Sequence, residues 1–359
     1  MEKLTVRNRE GNELSLVFRK YHEGDEEGMI ACIRDEYGET YFKRNFYDPS
    51  YLKKQEREGR ITFLVAETEK KEIAGMMILK RFYPEENMCE MASQIFLKKY
   101  RGYGIAVPFI RYGMRLLLSE HYFAAYSLPV LFHNVTQRLL YREGFRATGF
   151  MLNVFDMDTI LHSYDRDKNR KHSLGIQIMA IEKQDAGVLC LPKEHWGFCQ
   201  KIYDSLGVVY KISDGKKGVP ERERSDIAFT EDERQNSLEI RVRQIGRDLV
   251  YRIRQLHTLF PLKGKQTANI FLNCNDGHAV GAYKMLKGMG YFFTGLKPLC
   301  SEREYMVLHH PGEVEIYFGE YALHDDFAQM VQYIKSCYEE RQTEGGWQTD
   351  EKEEEKDRT

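Results

Sequence analysis

Several protein classes are excluded by what this sequence lacks. No stretch of its 359 residues approaches the ~20 uninterrupted apolar residues of a membrane span, and its start, Met1-Glu2-Lys3-Leu4-Thr5-Val6-Arg7, has no apolar signal-peptide core. A cytoplasmic protein with no membrane partner is expected. The seven cysteines (Cys32, Cys89, Cys190, Cys199, Cys274, Cys300, Cys337) are odd in number, scattered and never spaced C-x-x-C, which argues against a disulfide framework and against a structural metal site. They read as reduced, mostly buried thiols. Charge of one sign is missing too: 53 Lys plus Arg face 55 Asp plus Glu, a net charge of -2, so no long-range field calls for nucleic acid or an anionic surface. A small neutral or metabolite-like ligand stays open.

Apolar surface is plentiful. Hydrophobic residues at 42% and aromatics at 13% supply sizeable cores and exclude a wholly disordered chain. The length is more than twice the ~150 residues typical of one domain, so two domains are expected. β-rich and apolar runs predict strands over 14–18, 61–66, 73–79, 88–97, about 123–132 and 148–155. Helical spacing predicts a helix opening at Asp25, where Met29, Ile30, Ile33 and Tyr37 recur, and further helices over 107–118 and 134–142.

The second half repeats the first. Gly144-Phe145-Arg146-Ala147-Thr148-Gly149-Phe150 returns as Gly290-Tyr291-Phe292-Phe293-Thr294-Gly295-Leu296, a displacement of 146. With that shift the strand at Phe123 falls on 269–274, and the helix after Gly104 falls on an amphipathic run over 249–260, so strand lands on strand and helix on helix. The charged stretch 164–171 suits a solvated connection between halves, and 213–225 reads as a mobile polar loop. The resulting division is 1–165 and 172–320, a C-terminal helix over 321–342 docking one apolar face, and a disordered acidic tail over 343–359.

One tract carries chemistry. Arg101-Gly102-Tyr103-Gly104-Ile105-Ala106 follows a strand and opens a helix, where unpaired amides and the positive end of the helix dipole face an incoming anion. Small residues at 102, 104 and 106 let the backbone close on a pyrophosphate, although a tight strand-to-helix turn needs glycine for geometry alone. Val107 breaks the Gly-x-Gly-x-x-Gly dinucleotide fingerprint, and no Lys-Ser or Lys-Thr follows as a P-loop requires.

The tract resembles the Arg/Gln-x-x-Gly-x-Gly/Ala signature of the GCN5-related N-acetyltransferase superfamily, with Arg101, Gly104 and Ala106 in its defining positions. The resemblance covers roughly residues 12–157, and the second half by repetition only. It implies an α/β (α+β) fold of tandem domains, each a mixed, mostly antiparallel sheet flanked by helices, with acetyl-coenzyme A as cosubstrate. By the same resemblance Arg101, Gly102, Tyr103, Gly104, Ile105 and Ala106 hold the pyrophosphate, while Phe96 and Leu97 offer strand backbone to the pantetheine arm. A splay between the strands at 88–97 and 123–132 admits the thioester. At the offset of 146, Gly102 becomes Asp248, Gly104 becomes Val250 and Ala106 becomes Arg252, so the second half reads as a cofactor-free copy shaping the acceptor pocket or an oligomer interface.

Transfer to an amine needs a base and then a proton donor. Glu90, six residues before Phe96, is the candidate base, or else an exposed strand glutamate paired with a lysine. The superfamily tyrosine, five residues ahead of the Phe of Gly144-Phe145, is here Leu140 with Tyr141 beside it. Tyr141 and His133 are the candidate donors, each with a plain packing role as the alternative. The aromatic tract Tyr37, Tyr41, Phe42, Phe46, Tyr47 either lines an acceptor pocket or packs helices on the sheet. The expected activity is acyl-coenzyme A-dependent N-acyl transfer to a small-molecule or peptide amine, with a homodimer left open. The alternative is a non-catalytic acyl-coenzyme A-binding or partner-docking protein. Transfer from aminoacyl-tRNA is disfavoured by the intact glycines and the absent basic excess.

Overall fold

The computed structural model describes residues 1–41, 43–81, 87–156, 170–182, 185–233, 235–298 and 303–344. Its first half runs β1 (Glu2–Arg7), β2 (Glu13–Lys20), α1 (Glu26–Tyr37), α2 (Pro49–Arg57), β3 (Ile61–Thr68), β4 (Ile73–Lys80), β5 (Met88–Phe96), α3 (Ala106–Ser119), β6 (Ala124–Ser127), α4 (Val135–Arg142), β7 (Arg146–Asp156) and β8 (Lys171–Ala180). The second runs β9 (Val188–Cys190), α5 (Trp196–Leu206), β10 (Lys211–Ser213), β11 (Asp226–Asp232), β12 (Ser237–Gln244), α6 (Leu249–Leu259), β13 (Thr267–Asn273), α7 (Ala279–Lys287), β14 (Phe292–Lys297), β15 (Tyr305–His310) and the closing helix α8 (Asp325–Glu344). Among the described residues no helix is long and apolar enough to cross a membrane. Cys300 and the acidic tail from 345 onward fall outside the described residues, and the other six cysteines are buried free thiols.

Both halves share one thirteen-stranded sheet in the order β1-β2-β3-β4-β5-β6-β8-β7-β14-β15-β13-β12-β11. It is mixed and mostly antiparallel, the parallel pairs within it being β5 with β6 and β12 with β13. Strand β8, which a division at 165 and 172 places in the second domain, is hydrogen-bonded between β6 and β7 of the first half. The charged run that suggested a boundary lies mostly outside the described residues, and the strands on either side of it form an antiparallel pair.

The repeated heptad makes the join. Gly149 of β7 pairs with Gly295 of β14, its own counterpart 146 positions on. A Cβ at Gly295 would lie 2.3 Å from the Gly149 Cα, so the two backbones touch where any larger residue would part them. The preceding threonines act alike: Thr148 Oγ1 donates to the Ile176 carbonyl of β8, and Thr294 Oγ1 to the Val307 carbonyl of β15. Around this seam one apolar core runs across both halves, with Phe150, Ile176 and Ile178 continuous with Phe292, Phe293 and Leu308. Helix α8 lies over it, and the Phe327 ring fills the space above Gly175. The two halves are thus one body. Lys171 fastens them further, its ammonium donating to the carbonyls of Gln235 at 2.7 Å, Asn236 at 2.7 Å and Lys265 at 3.0 Å.

Two smaller cores sandwich the first half's sheet: α1, α2 and the aromatic tract cover one face, and α3 with α4 the other. The strand expected over 123–132 is shorter than its sequence suggested. Pairing of β5 with β6 begins at Met88 and Ala124 and stops at Glu90 opposite Tyr126, after which the strands separate. Beyond that point β5 carries a bulge at Ser93, with φ of 50°, between its register with Ile78 and with Met76.

Candidate active site

Strand β5 delivers the chain to the start of α3 through a short 3-10 turn, Lys98–Tyr100. Gly102 and Gly104 both adopt left-handed backbone, φ +86° and +73°, and a Cβ at either would meet nothing within 4 Å. The glycines are thus required by conformation and open onto space. Among the described residues the amides of Gly102 and Gly104, in the turn before the helix, donate to no protein group, and nor does that of Ala106, the first helical residue, whose amide has no intrahelical acceptor. Phe96, Arg101, Gly102, Gly104, Ile105 and Ala106 line a cavity of about 680 Å³ there, together with Arg9 of the β1–β2 turn. A cradle of this kind fits a pyrophosphate.

Two residues of the expected set fall elsewhere. Tyr103 packs into the α3 core, outside the cavity lining. Leu97 spends its backbone internally, donating to the Ala74 carbonyl at 2.9 Å and accepting from the Tyr100 amide at 2.9 Å, so it has little left for a pantetheine arm. Arg101 is held by Glu36 and by the Phe96 carbonyl, which keeps its guanidinium at the cradle's rim.

A second cavity, about 1280 Å³, begins where β5 and β6 part. Its walls include Tyr41 and Phe46 from one face of the sheet and Ile110, Leu139 and Leu140 from the other, so it passes through the splay. The two cavities meet at Gln94, which lines the larger one and donates to the carbonyl of Ala106, in the lining of the smaller, at 2.9 Å.

Glu90 lies in the larger cavity, 7% exposed, on the last pair before the strands separate. Register places Lys80 of β4 and Tyr126 of β6 beside it on the same face. Burial draws the Lys80 ammonium down to about 8, with Lys43 and Lys297 adding to that effect and Glu90 and Glu239 opposing it. Burial also lowers Lys43, against the pull of Glu90, and raises the Tyr126 hydroxyl well above its ordinary value. His133 is half-buried in the lining of the same cavity, and burial lowers its pKa below the ordinary imidazole value.

Tyr141 is not brought to this place. One residue is about 100° of helix, and Leu140 takes the inward position while Tyr141, 37% exposed, stacks on His324 outside the cavity lining. Of the aromatic tract, Tyr37, Tyr41 and Phe46 line the cavity; Tyr47 instead accepts from the Tyr41 amide, and Phe42 is outside the described residues.

Sequence reasoning missed what the second half contributes. Glu239 and Arg241 of β12 and Lys297 of β14 reach the same cavity, and the Lys297 ammonium sits 4.3 Å from the centroid of the Tyr126 ring. Buried Arg241, 1% exposed, pairs with Glu239 at 3.1 Å and lies over the rings of Phe271 and Tyr305. The alternating charge of the run 237–244 was the available signal, since a strand with every second residue charged needs a polar wall to face. Among the described residues no cluster of His, Cys, Asp and Glu could hold a metal ion.

No family model matches the chain, and no curated protein matches it. Solved structures similar to it include N-acetyltransferases. A mutant form of the spermidine/spermine N-acetyltransferase SpeG from Vibrio cholerae is 14% identical, over 47% of this chain and 95% of its own, with a TM-score of 0.39. A dodecameric spermidine N-acetyltransferase from Vibrio cholerae is 15% identical, over 47% and 95%, at 0.39. A structure described as a candidate phosphinothricin N-acetyltransferase is 17% identical, over 46% and 98%, at 0.37.

Proposed function

We propose that the chain is an acyl-coenzyme A-dependent N-acyltransferase that moves acetyl from acetyl-coenzyme A to an amine. One observation carries the reading: an open, glycine-built helix start adjoins a cavity that passes through the sheet beside a buried carboxylate. Phe96, Arg101, Gly102, Gly104, Ile105 and Ala106 hold the cosubstrate, and Arg9 adds positive charge at the rim. The bound cosubstrate supplies the acyl group as an activated thioester, whose C–S bond breaks as the new C–N bond forms. Glu90 accepts the proton that an ammonium must lose before its nitrogen lone pair can attack. His133, in the lining of the same cavity and with its pKa lowered by burial, is the side chain we assign to pass a proton onward. Tyr141, turned outward, has no part in the step.

A non-catalytic acyl-coenzyme A-binding role is the second reading, and Leu140 in the place of the superfamily tyrosine favours it. Two measurements separate the outcomes. Coenzyme A should raise the melting temperature of the wild-type protein; Gly104→Glu should abolish the rise and Val250→Glu should keep it. Equal loss in both variants would sink the assignment of the cradle. Thiol release with a panel of amines then decides for catalysis, and binding without release from any of them decides for the second reading.

A further inference from the structure

The two cavities are joined by one side chain. At their junction β5 is bulged: Ile78 is paired with Ala92 and Met76 with Ile95, so Ser93 and Gln94 together stand opposite Met77. A bulge re-aims the side chains it carries, and Ala92, Ser93 and Gln94 in succession all line the larger cavity. Gln94 is anchored by its Nε2, which donates to the Ala106 carbonyl at 2.9 Å. Because a carbonyl only accepts, the amino end of the carboxamide must face Ala106, and Oε1 is thereby turned away from it. Among the described residues no group donates to that oxygen. Its neighbours along the strand end are engaged. Ser93 Oγ and the Tyr41 hydroxyl share a hydrogen bond of 2.7 Å, the Phe96 carbonyl accepts from the Arg101 guanidinium at 3.3 Å, and the Leu97 amide and carbonyl are both bound within the protein.

We propose that the Gln94 side-chain carbonyl accepts a hydrogen bond from an amide N–H of the cosubstrate's pantetheine arm, so that Gln94 recognises the arm as distinct from the nucleotide. The inference rests on the acyltransferase reading, in which the phosphates sit at the turn over 102–106 and the thioester in the splay. An arm joining those places crosses the junction at Gln94, and it carries two amides whose N–H groups give up water on entry. A polar group that loses water without gaining a partner is costly, whereas one that finds a protein acceptor is not, so the acceptor at the crossing governs how well the arm binds. The bond to Ala106 has already ordered the Gln94 side chain, which leaves less rotamer freedom to lose when the arm arrives. A side chain at the bulge thereby takes over work that the sequence suggested for the backbone of Phe96 and Leu97.

The test compares coenzyme A with 3′-phosphoadenosine 5′-diphosphate, the same nucleotide without the arm, by calorimetry on the full-length protein. Wild type should bind coenzyme A at least tenfold more tightly than the nucleotide. Two variants then divide the roles of Gln94: both lose the donor to Ala106, but Gln94→Met also loses the acceptor, whereas Gln94→Glu keeps one. Gln94→Met should cut the advantage of coenzyme A about tenfold, as expected for a buried donor left unpaired. Its affinity for the nucleotide, which also reports that the cradle is folded, should stay within about twofold of wild type. Gln94→Glu should hold the advantage within about threefold of wild type, since repulsion between its charge and the phosphates weakens both ligands alike. Equal losses of the advantage in the two variants would assign the effect to the Ala106 anchor and overturn the proposal. An undiminished advantage in Gln94→Met, or a wild type that binds the two ligands equally, would overturn it as well while leaving the coenzyme A reading in place. A wild type that binds neither ligand would sink that reading and this inference with it.

Discussion

The starts of α3 and α6 occupy equivalent places in the two halves, and their backbones have opposite fates. At α3 the amides of Gly102, Gly104 and Ala106 open onto a cavity. At α6 four consecutive amides are all taken by the chain itself. Ile245 donates to Asp276, Gly246 to the Ser225 hydroxyl, Arg247 to the Arg222 carbonyl and Asp248 to the Glu223 carbonyl. The run from 222 to 225, expected to be a mobile loop, is a plug: a Cβ at Gly246 would lie 2.4 Å from the Arg224 carbonyl carbon. Chain length underlies the difference. Between the last parallel pair and the helix the first half has residues 91–105, whereas the second has only 243–248. The shorter segment keeps an irregularity of its own at Arg243, where β12 skips a residue against β11, but it has no left-handed glycine turn. Register also removes the carboxylate. Glu90 stands opposite Tyr126, and the residue opposite Leu272, 146 positions beyond Tyr126, is Val242. An anion site at a helix start therefore needs more than a dipole; it needs slack in the chain and nothing of the protein's own to fill it.

The sharpest way to test that only the first half is chemically active is Glu90→Gln. It should leave the coenzyme A melting shift intact and lower turnover by about 10²–10⁴-fold, the usual contribution of a positioned base. The loss should shrink as pH rises, because the acceptor amine deprotonates unaided near its own pKa of ~10. Wild-type turnover at neutral pH would hand the role to His133.

Next in size is the seam that makes the two halves one body. Gly295→Ala places a methyl 2.3 Å from the Gly149 Cα and 2.6 Å from the Thr148 carbonyl oxygen, at φ of +133°. Backbone on both sides cannot yield as a side chain would, so a loss of about 1–3 kcal/mol from overpacking is expected, with the backbone strain added to it. Denaturant unfolding should remain a single transition at lower midpoint. Two separate transitions would show that the halves fold independently and that the shared core is a mere contact.

How much of this was legible follows from the range of each cause. The strands at 61–68, 73–80 and 88–96, the helix after Gly104 and the repeat near Gly144 and Gly290 are local patterns, and the sequence displays them. That Gly149 meets Gly295 is a fact of assembly, although the repetition of both hinted at a shared constraint. Strand β8 was hidden because a charged run beside it resembles a linker, and only sheet pairing reveals that the chain returns to the first half. The offset of 146 assigned Val250 to Gly104, yet the helix starts at 106 and 249 lie 143 apart, since the deletion before α6 shifts the register locally. Tyr141 and Leu140 differ by one helical step of about 100°, and that offset already offered a packing role for Tyr141 as the alternative. The charged wall of Arg241 and Lys297 was unreadable for the same reason as the seam: no local pattern says which cavity a distant strand will face.

The smallest expected effect bears on the plug itself. The Asp248 carboxylate accepts from the buried Ser225 amide at 2.6 Å and stands at the positive end of α6, so it both fastens the plug and meets the helix dipole. Asp248→Ala leaves that amide without its acceptor, which costs about 1–3 kcal/mol, and should lower the melting temperature by a few degrees. Asp248→Asn keeps an acceptor oxygen and should recover most of the loss. Neither variant should gain a coenzyme A site, because Ile245, Arg247 and Leu249 keep their side chains where the first half has small residues and an open turn. Calorimetric titration should therefore give one coenzyme A per chain in the wild type and in both variants. A second site appearing in Asp248→Ala would break the comparison, since it would mean that the plug alone, and not the missing length of chain, separates the two helix starts.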